Sequence, residues 1–381
     1  MNQIKILHCA DLHLGAELSS LGVRAKQRRE ELLIGFYRIV AICKEENVEL
    51  LLIAGDFFEG SDIDKNIVQS VKEALAGIPD VIVGISPGNH DYFSIDSPYS
   101  DLDWPTNVHI FRSGLEQVAF PEKNLRLWGA GFTRTYVTDT LLYQQEIPQD
   151  EFVNICVMHG DLVAENQPSH YNPLSPLRIS QSGMDYLALG HIHKRTAILQ
   201  SGTVHYAYPG CPEGKGFDEL GEKGVYIGNI AKGKADLSFR VVCGRMNLEI
   251  PVDISGCATN RETAGKVIDA IHQRYGESFH NHLYKIILEG EVSGFTPDCV
   301  AVSLLLENEV YFVKITDRTH AAVNLQELAK ETSLKGIFVR KMLEKINECA
   351  RKNREMEAQQ YKRALHIGIK AFDSEVTPNE H

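Results

Sequence analysis

The sequence contains no run of about 18 consecutive apolar residues, so it predicts no membrane-spanning helix. Its first residues lack the basic region, long apolar stretch and small-residue cleavage site of a secretion signal. The eight cysteines are scattered and include no Cys-x-x-Cys pair, which argues against a cysteine-based metal site or a disulfide framework. These absences together predict a cytoplasmic protein with reduced thiols.

An excess of positive charge is also lacking, because the formal net charge is −12. Phosphate backbones bind local clusters of cations, and a negative protein field opposes their approach. Any binding of nucleic acid must therefore depend on a confined site, a local patch or a second subunit. The 381 residues contain no internal repeat, and 43% of them are hydrophobic, which suffices for two or three domains with a sizeable core.

Apolar runs typical of buried strands alternate with amphipathic patterns through the first half of the chain. Residues 25–46 and 64–76 have apolar side chains at three- to four-residue spacing and are predicted helices. This alternation predicts a mostly buried sheet with helices on its faces. A glycine-rich meander follows at 204–242, and we interpret "MNLEIPVDISG", residues 246–256, as a linker.

We predict three parts: an α/β core at 1–245, a small α+β cap domain at 246–320, and a helical segment at 321–381 that ends in a disordered tail at 374–381. One stripe of the helical segment is apolar, with Phe338, Met342, Ile346 and Cys349 at helical spacing. The stripe either packs in a core or forms a groove for a helix of a partner.

Polar side chains follow five of the predicted strands. They are Asp11 and His13, Asp56, Asn89 and His90, His159, and His191 and His193. Sites in α/β sheets form beyond the carboxyl ends of the strands, so these groups converge although they are distant in sequence. Residues two apart on an extended chain point the same way, which accounts for the Asp-x-His and His-x-His spacings.

Carboxylate, imidazole and amide groups without a thiolate suit Mn, Fe or Zn better than a structural zinc site. The eight candidate groups exceed the needs of one ion. A two-metal centre with a shared carboxylate fits the count, and the usual use of such a centre is in-line attack on phosphorus. One Asp-x-His or Gly-Asp alone is more often a strand end or a turn, but that interpretation does not explain five such groups in order.

The motifs resemble, in order, the signature of calcineurin-like metallophosphoesterases: Asp11-x-His13, Gly55-Asp56, Gly88-Asn89-His90-Asp91, His159-Gly160 and Gly190-His191-x-His193. The flanking "DLHLG", "GDFFE", "GHIHK" and "YPGCPEG" are similar to the SbcD- and YhaO-like branch of DNA-repair exonucleases. The resemblance implies a four-layer αββα sandwich with a small α+β cap domain and C-terminal helices.

The resemblance also implies the roles of the residues. One ion would be held by Asp11, His13, Asp56 and His193, and the other by Asp56, Asn89, His159 and His191, so that Asp56 bridges them. His90 would face the scissile phosphate, and Asp91 would orient His90. Glu59 stands where many relatives have His or Asp, so any supporting role at that position is in doubt.

The function implied by the resemblance is that of a DNA nuclease with two divalent ions, most often Mn. It would be a 3′–5′ exonuclease acting in DNA repair as a homodimer with an SbcC-type coiled-coil ATPase. A phosphoesterase for a small nucleotide or a phosphoprotein is the alternative, although the phosphoprotein branch reads "GNHE" where this chain reads "GNHD". A non-catalytic scaffold usually loses metal ligands, and none is missing here.

Two further features have structural interpretations. The loop "GKGFDELG", residues 214–221, lacks the order of a phosphate-binding loop and is predicted to be a hairpin loop. The basic cluster of Arg24, Lys26, Arg28 and Arg29 is predicted to be a solvated helix start.

Overall fold

The computed structural model describes residues 3–60, 62–142, 147–148, 150–321 and 325–373. The chain divides into two compact units. Unit 1 comprises residues 1–250, 275–285 and 307–314, and unit 2 comprises residues 251–274, 286–306 and 315–381. The predicted tail at 374–381 lies outside the described residues. No helix in the described part of the chain is long and apolar enough to cross a membrane.

Two six-stranded sheets make up most of unit 1. In chain order the strands are β1 (Ile4–Cys9), β2 (Leu50–Ala54), β3 (Ile82–Ser86), β4 (Val108–Ile110), β5 (Glu116–Phe120), β6 (Leu125–Ala130), β7 (Val153–His159), β8 (Tyr186–Gly190), β9 (Leu199–Ser201), β10 (Val204–Ala207), β11 (Gly224–Ala231) and β12 (Lys234–Val241). The first sheet has the order β12-β11-β1-β2-β3-β4, and the second has the order β5-β6-β7-β8-β10-β9. Strands β1 to β4 are parallel to each other, as are β6, β7, β8 and β10.

The helices of unit 1 cover the outer faces of the two sheets. They are α1 (Ala25–Glu45), α2 (Lys65–Ala76) and α3 (Pro176–Gln181). Side chains alternate along β2, so that Leu51 packs with Phe36 of α1 while Leu52 packs with Ile155 of the other sheet. On the far side of the second sheet, Ile179 of α3 completes a third apolar cluster. This arrangement confirms the predicted four-layer αββα sandwich.

Two sequence interpretations need correction. The segment interpreted as a linker contains β13 (Asn247–Asp253). Its buried Leu248, Ile250 and Val252 alternate with exposed residues, which is the period of a strand with one covered face. In the basic cluster, Arg28 is not solvated, because it is only 1% exposed and pairs with acidic side chains of unit 1.

The remaining elements are α4 (Asn260–Tyr275), β14 (Leu283–Glu289), β15 (Glu291–Val292), α5 (Cys299–Leu306), β16 (Phe312–Asp317), β17 (His320–Ala321), α6 (Leu325–Leu328), α7 (Leu334–Arg351) and α8 (Glu355–Asp373). Strands β13, β14 and β16 form a three-stranded sheet. Within unit 2, α7 packs against α8, where Val339, Leu365 and Ile369 are buried and Phe338, Met342 and Ile346 are partly buried. The stripe of α7 therefore packs within its own unit, and the three-part domain division stays a prediction.

Candidate metal centre

The carboxyl ends of five strands from both sheets meet at one edge of unit 1. Within the first sheet, the backbone N–H of Asp11 donates to Gly55 O at 3.0 Å and that of His13 to Asp56 O at 2.9 Å. Between the sheets, the N–H of His191 donates to Asp11 Oδ1 at 3.0 Å. The polar residues that follow these strands are therefore brought together as the sequence predicted.

The backbone at this edge is strained. Asp11, His13, Asp56 and His191 have φ angles of 54°, 48°, 46° and 111°, in a region that residues with a side chain rarely adopt. A Cβ atom at Gly55 would lie 2.2 Å from His159 Nδ1, so only glycine fits there. Strain of this kind persists where the surroundings enforce it, and it is concentrated at functional sites.

One group of possible metal donors consists of Asp11, His13 and His193. Their ligand atoms lie within 4.8 Å of one another. His13 Nε2 is 3.1 Å from His193 Nε2, and His193 Nε2 is 3.8 Å from Asp11 Oδ1. Asp11 and His13 are buried, whereas the His193 side chain is 28% exposed. Two members of this group are therefore shielded from solvent, and solvent reaches the group at His193.

Asp56 links this group to a second one. Its Oδ2 lies 3.8 Å from His13 Nε2 and 3.5 Å from His159 Nε2. His159 Nε2 is also 3.0 Å from Asn89 Oδ1. The carboxylate of Asp56 thus stands between imidazoles of the two groups, which is the position that a shared ligand requires.

The opposite nitrogen of each imidazole has its own partner. Glu59 Oε2 lies 2.8 Å from His13 Nδ1, Glu219 Oε1 lies 2.5 Å from His193 Nδ1, and His159 Nδ1 donates to a backbone carbonyl at 3.0 Å. These acceptors favour a proton on Nδ1 and leave the Nε2 lone pair directed at the cluster. Two such lone pairs 3.1 Å apart repel each other unless a proton or a cation lies between them. The donor set therefore fits a divalent cation.

Burial and mutual repulsion shift the titration of the cluster. Burial raises the pKa of Asp11 to about 8, and the negative charge of Asp56 adds to the rise. Burial also opposes ionisation of Asp56, but His159 and His13 outweigh it and lower its pKa. The pKa of His159 falls to about 4, chiefly because the ring is buried. The protein alone therefore favours the protonated form of Asp11, and a divalent ion would take the place of that proton.

His191 lies to one side of the two donor groups. Its ring centroid is 5.1 Å from that of His159, and its Nε2 is 3.9 Å from Asp161 Oδ1. Tyr171 packs on the same ring with a centroid distance of 4.6 Å. The structure thus brings His191 beside His159, with a carboxylate and a tyrosine as neighbours that the sequence did not indicate.

His90 is at the solvent side of the cluster, with 41% of its side chain exposed. Its Nδ1 is 3.3 Å from Glu59 Oε1, its ring packs edge-on to His13, and its backbone N–H donates to Asp56 Oδ1 at 2.9 Å. The Glu59 carboxylate raises the pKa of His90 above its usual range. His90 is thus the half-exposed imidazole of the cluster, held from one side by a carboxylate.

Asp91 has different partners from those that the sequence predicted. Its buried carboxylate accepts hydrogen bonds from the backbone N–H groups of Phe57, Phe58 and Gly88 and from the Tyr99 hydroxyl, at 2.8, 3.1, 2.7 and 2.5 Å. No hydrogen bond joins it to the His90 side chain within the described ranges. Asp91 therefore holds the turns after β2 and β3, whereas Glu59 contacts His90, and the orienting role of Asp91 stays a prediction.

Sequence reasoning missed Glu219 and Lys215, which belong to the loop predicted to be a plain hairpin. The loop brings Glu219 to His193 and places Lys215 Nζ 3.8 Å from Glu59 Oε2. The backbone N–H of Lys215 donates to Glu219 Oε2 at 2.6 Å, so the loop is tied to itself at the site. The available signal was a carboxylate and a lysine directly after the "YPGCPEG" motif.

Comparisons with known proteins show which proteins this chain resembles. Residues 4–195 match the family model described as calcineurin-like phosphoesterase. This range contains all the predicted metal ligands and His90. A solved structure of a dimetal phosphatase from Danio rerio has a TM-score of 0.40 at 11% identity, over 64% of this chain and 100% of that chain.

Three curated relatives are similar at low identity. The uncharacterized metallophosphoesterase YhaO of Bacillus subtilis is 25% identical over 63% of this chain and 60% of its own length. The DNA double-strand break repair protein Mre11 of Aeropyrum pernix is 26% identical over 66% of this chain and 64% of its own length. Mre11 of Saccharolobus solfataricus is 23% identical over 84% of each chain. The match thus spans less than two thirds of the length of the first two relatives.

Proposed function

The chain belongs to the calcineurin-like phosphoesterase family, and from that premise we propose that it is a metal-dependent phosphodiesterase that hydrolyses DNA. The position of Asp56 between His13 and His159 is the observation that carries the proposal. A carboxylate shared by two sets of imidazoles is the ligand arrangement of two-metal phosphoryl-transfer sites. The Mre11 relatives, by their names, act in double-strand break repair and support DNA as the substrate.

In this proposal Asp11, His13, Asp56 and His193 hold one ion, and Asp56, Asn89, His159 and His191 hold the other. Divalent ions supply, when bound, positive charge that polarises the phosphodiester and acidifies water. Glu59 and Glu219 keep the Nδ1 atoms of His13 and His193 protonated, so that Nε2 is free to bind.

His90 has a role separate from those of the proposed metal ligands. Its exposed ring lies on the substrate side, and the nearby Glu59 carboxylate favours its protonated form. A protonated imidazole there stabilises charge on the phosphate and gives a proton to the leaving oxygen. Glu59 thereby has the orienting role that the resemblance gave to Asp91.

Several finer parts of the proposal rest on the resemblance and the relatives. We propose Mn as the working metal, 3′–5′ exonuclease polarity, a homodimer, an SbcC-type ATPase partner and a cytoplasmic role in DNA repair. The helical segment at 321–381 would bind the partner, and residues 246–320 would cap the core at 1–245. A partner with its own DNA-binding surface would also explain how a chain of net charge −12 acts on DNA.

Purified protein loaded with Mn²⁺ and given linear DNA labelled at one end tests the activity and its polarity together. We expect release of nucleotides from the 3′ end. The His90→Asn variant should keep its metal, measured by elemental analysis, and lose about 10²- to 10⁴-fold in rate. His109→Asn, a histidine of β4, is the matched control.

Three results would overturn parts of the proposal. Full activity of His90→Asn rejects the role given to His90. Turnover of a cyclic nucleotide or a phosphoprotein without turnover of DNA favours the alternative substrates. A chain that binds an ATPase but takes up no metal would be a scaffold.

A further inference from the structure

Aromatic side chains form a row that leads outward from the candidate metal centre of unit 1. The ring of His191 packs on Tyr171 at a centroid distance of 4.6 Å, and Tyr171 is 5.8 Å from Tyr136. His170 flanks Tyr136 at 5.7 Å. No step of the proposed hydrolysis uses Tyr171, Tyr136 or His170.

The outermost tyrosine of the row is its most exposed tyrosine. The His191 side chain is 18% exposed, Tyr171 is half-buried, and Tyr136 is 56% exposed. A row that served only the core would end in a covered ring. Here the outermost tyrosine is exposed to solvent and is connected to His191 through the ring of Tyr171.

Backbone hydrogen bonds fix the position of Tyr136. The N–H of Val137 donates to His170 O at 2.8 Å, and the N–H of Asn172 donates to Val137 O at 2.6 Å. The side chain of Asn172 then donates to the backbone carbonyl of His159 at 2.7 Å. The segment that carries Tyr136 is thus joined, through one buried asparagine, to a predicted metal ligand.

We propose that Tyr136, flanked by His170, is a stacking platform for a nucleobase of the strand whose phosphate lies at the metal centre. This inference rests on the proposed function. Every base has a π face, so aromatic stacking binds strands of any sequence and needs no positive charge. Binding that does not depend on positive charge suits this chain, because its net charge is −12 and the aromatic row begins beside the carboxylate of Asp161.

The platform also narrows the substrate class. Bases inside a duplex are stacked on each other and cannot reach a protein ring at the same time. A strand that uses Tyr136 must therefore be single, be frayed, or place its terminal base against the ring. A small nucleotide offers the same nucleobase chemistry, so the test must separate the two sources.

Binding of a phosphorothioate-protected single strand, measured by fluorescence anisotropy, tests the platform. We expect Tyr136→Ala to weaken binding by roughly 5- to 100-fold, the effect of losing one base–aromatic stack. Tyr136→Phe keeps the ring and should bind within about twofold of the unaltered protein. Tyr37→Ala, which removes a tyrosine of similar exposure from α1, is the matched control.

Two further arms complete the experiment. A strand whose end nucleotides are abasic should have the same affinity for the unaltered protein and for Tyr136→Ala, because it has no terminal base to stack. 2-Aminopurine at the 3′ end should lose fluorescence in the complex with the unaltered protein and regain it with Tyr136→Ala.

The inference is overturned if Tyr136→Ala binds the intact strand as tightly as the unaltered protein, or if Tyr136→Phe is as weak as Tyr136→Ala. If Tyr136→Ala changes only the KM for a cyclic nucleotide, Tyr136 stacks on a nucleobase, but that nucleobase does not belong to a DNA strand. The unaltered protein could also hydrolyse no DNA when loaded with Mn²⁺ while Tyr136→Ala still weakens binding of the strand. This result would support the stacking platform and contradict the proposed nuclease activity.

Discussion

Two clusters of buried charged groups in unit 1 differ in whether their charges pair with each other. Around Arg28, the guanidinium donates to Glu213 at 2.7 Å and to Glu31 at 2.9 Å, and Glu31 also pairs with Arg245 at 2.8 Å. In the metal centre, buried carboxylates and imidazoles face each other without a buried cationic side chain between them among the described residues.

The difference shows what each cluster needs. Charge in a protein interior is costly unless it is paired. The Arg28 cluster contains both signs and is complete within the chain, whereas the cluster around Asp56 contains mainly acceptors and fits a cation from outside. The same physical rule thus makes one cluster a structural element and the other a binding site.

The largest expected effect is that of Arg28→Met. This change leaves Glu213 buried with its main partner removed, so the free energy of unfolding should fall by about 3–5 kcal/mol. Urea denaturation followed by circular dichroism measures it. The double variant Arg28→Met/Glu213→Gln removes the unpaired charge and should recover part of the lost stability. If Arg28→Met alone is as stable as the unaltered protein, the pairing of charges around Arg28 does not stabilise unit 1.

The second effect is stabilisation by metal. At a free Mn²⁺ concentration 100 times its Kd, the free energy of unfolding should rise by about 2.7 kcal/mol, because the ion binds only the folded cluster. The same denaturation experiment with and without chelator measures it. Arg28→Met should keep this gain and Asp56→Asn should lose it; an equal gain in Asp56→Asn would mean that the ion binds elsewhere.

A smaller effect is expected from Glu219→Gln. The amide still reaches His193 Nδ1 but no longer carries the charge that makes Nε2 a strong donor, so metal affinity should fall about 10- to 100-fold. Isothermal titration with Mn²⁺ measures it. Glu222→Gln, at an exposed position next to the same loop, should bind as tightly as the unaltered protein. Equal affinities of both variants would remove Glu219 from the site.

The last effect is a dependence of stability on pH, and it is the smallest only when counted per pH unit. In chelated protein the pKa of Asp11 is raised from 3.8 to about 8, so the folded state holds a proton that the unfolded state loses. The stability that this proton contributes is complete below the unfolded pKa of 3.8 and is lost progressively as pH rises from there through the folded pKa of about 8. The stability of Asp11→Asn relative to the unaltered protein should therefore increase over this range, by at most about 1.4 kcal/mol per pH unit. A flat difference would contradict the raised pKa.

Much of the fold could be predicted from local patterns. The sequence predicted helices at 25–46 and 64–76, and the structure has α1 at Ala25–Glu45 and α2 at Lys65–Ala76. Asp64 accounts for the second boundary, because its side chain caps the helix by accepting from the Asn66 N–H at 2.9 Å. The strand β13 was missed because Pro251 masked the alternation of its buried residues.

The candidate site was predictable to the extent that its residues follow strands. Asp11 and His193 are far apart in the chain and follow strands of different sheets, but each lies at the carboxyl end of a parallel strand, which is where sites form in α/β folds. Glu219 and Glu59 follow no such rule. Their roles depend on which imidazole nitrogen each carboxylate oxygen approaches. The distance between these two atoms cannot be inferred from the spacing of the residues along the chain.

The sequence by itself determined a buried sheet with helices on its faces, through alternating and helical apolar patterns, and the donor types at the strand ends; the four αββα layers were implied by the resemblance of its motifs to a family. Only the tertiary structure decided that Asp91 holds two turns, that Glu59 and Glu219 hold the imidazoles, and that Tyr136 is exposed beside the centre. Apolar periodicity acts over a few neighbouring residues, so it can be read along the chain. The partner of a buried polar group is chosen by proximity in three dimensions, which exists only after the two sheets have packed.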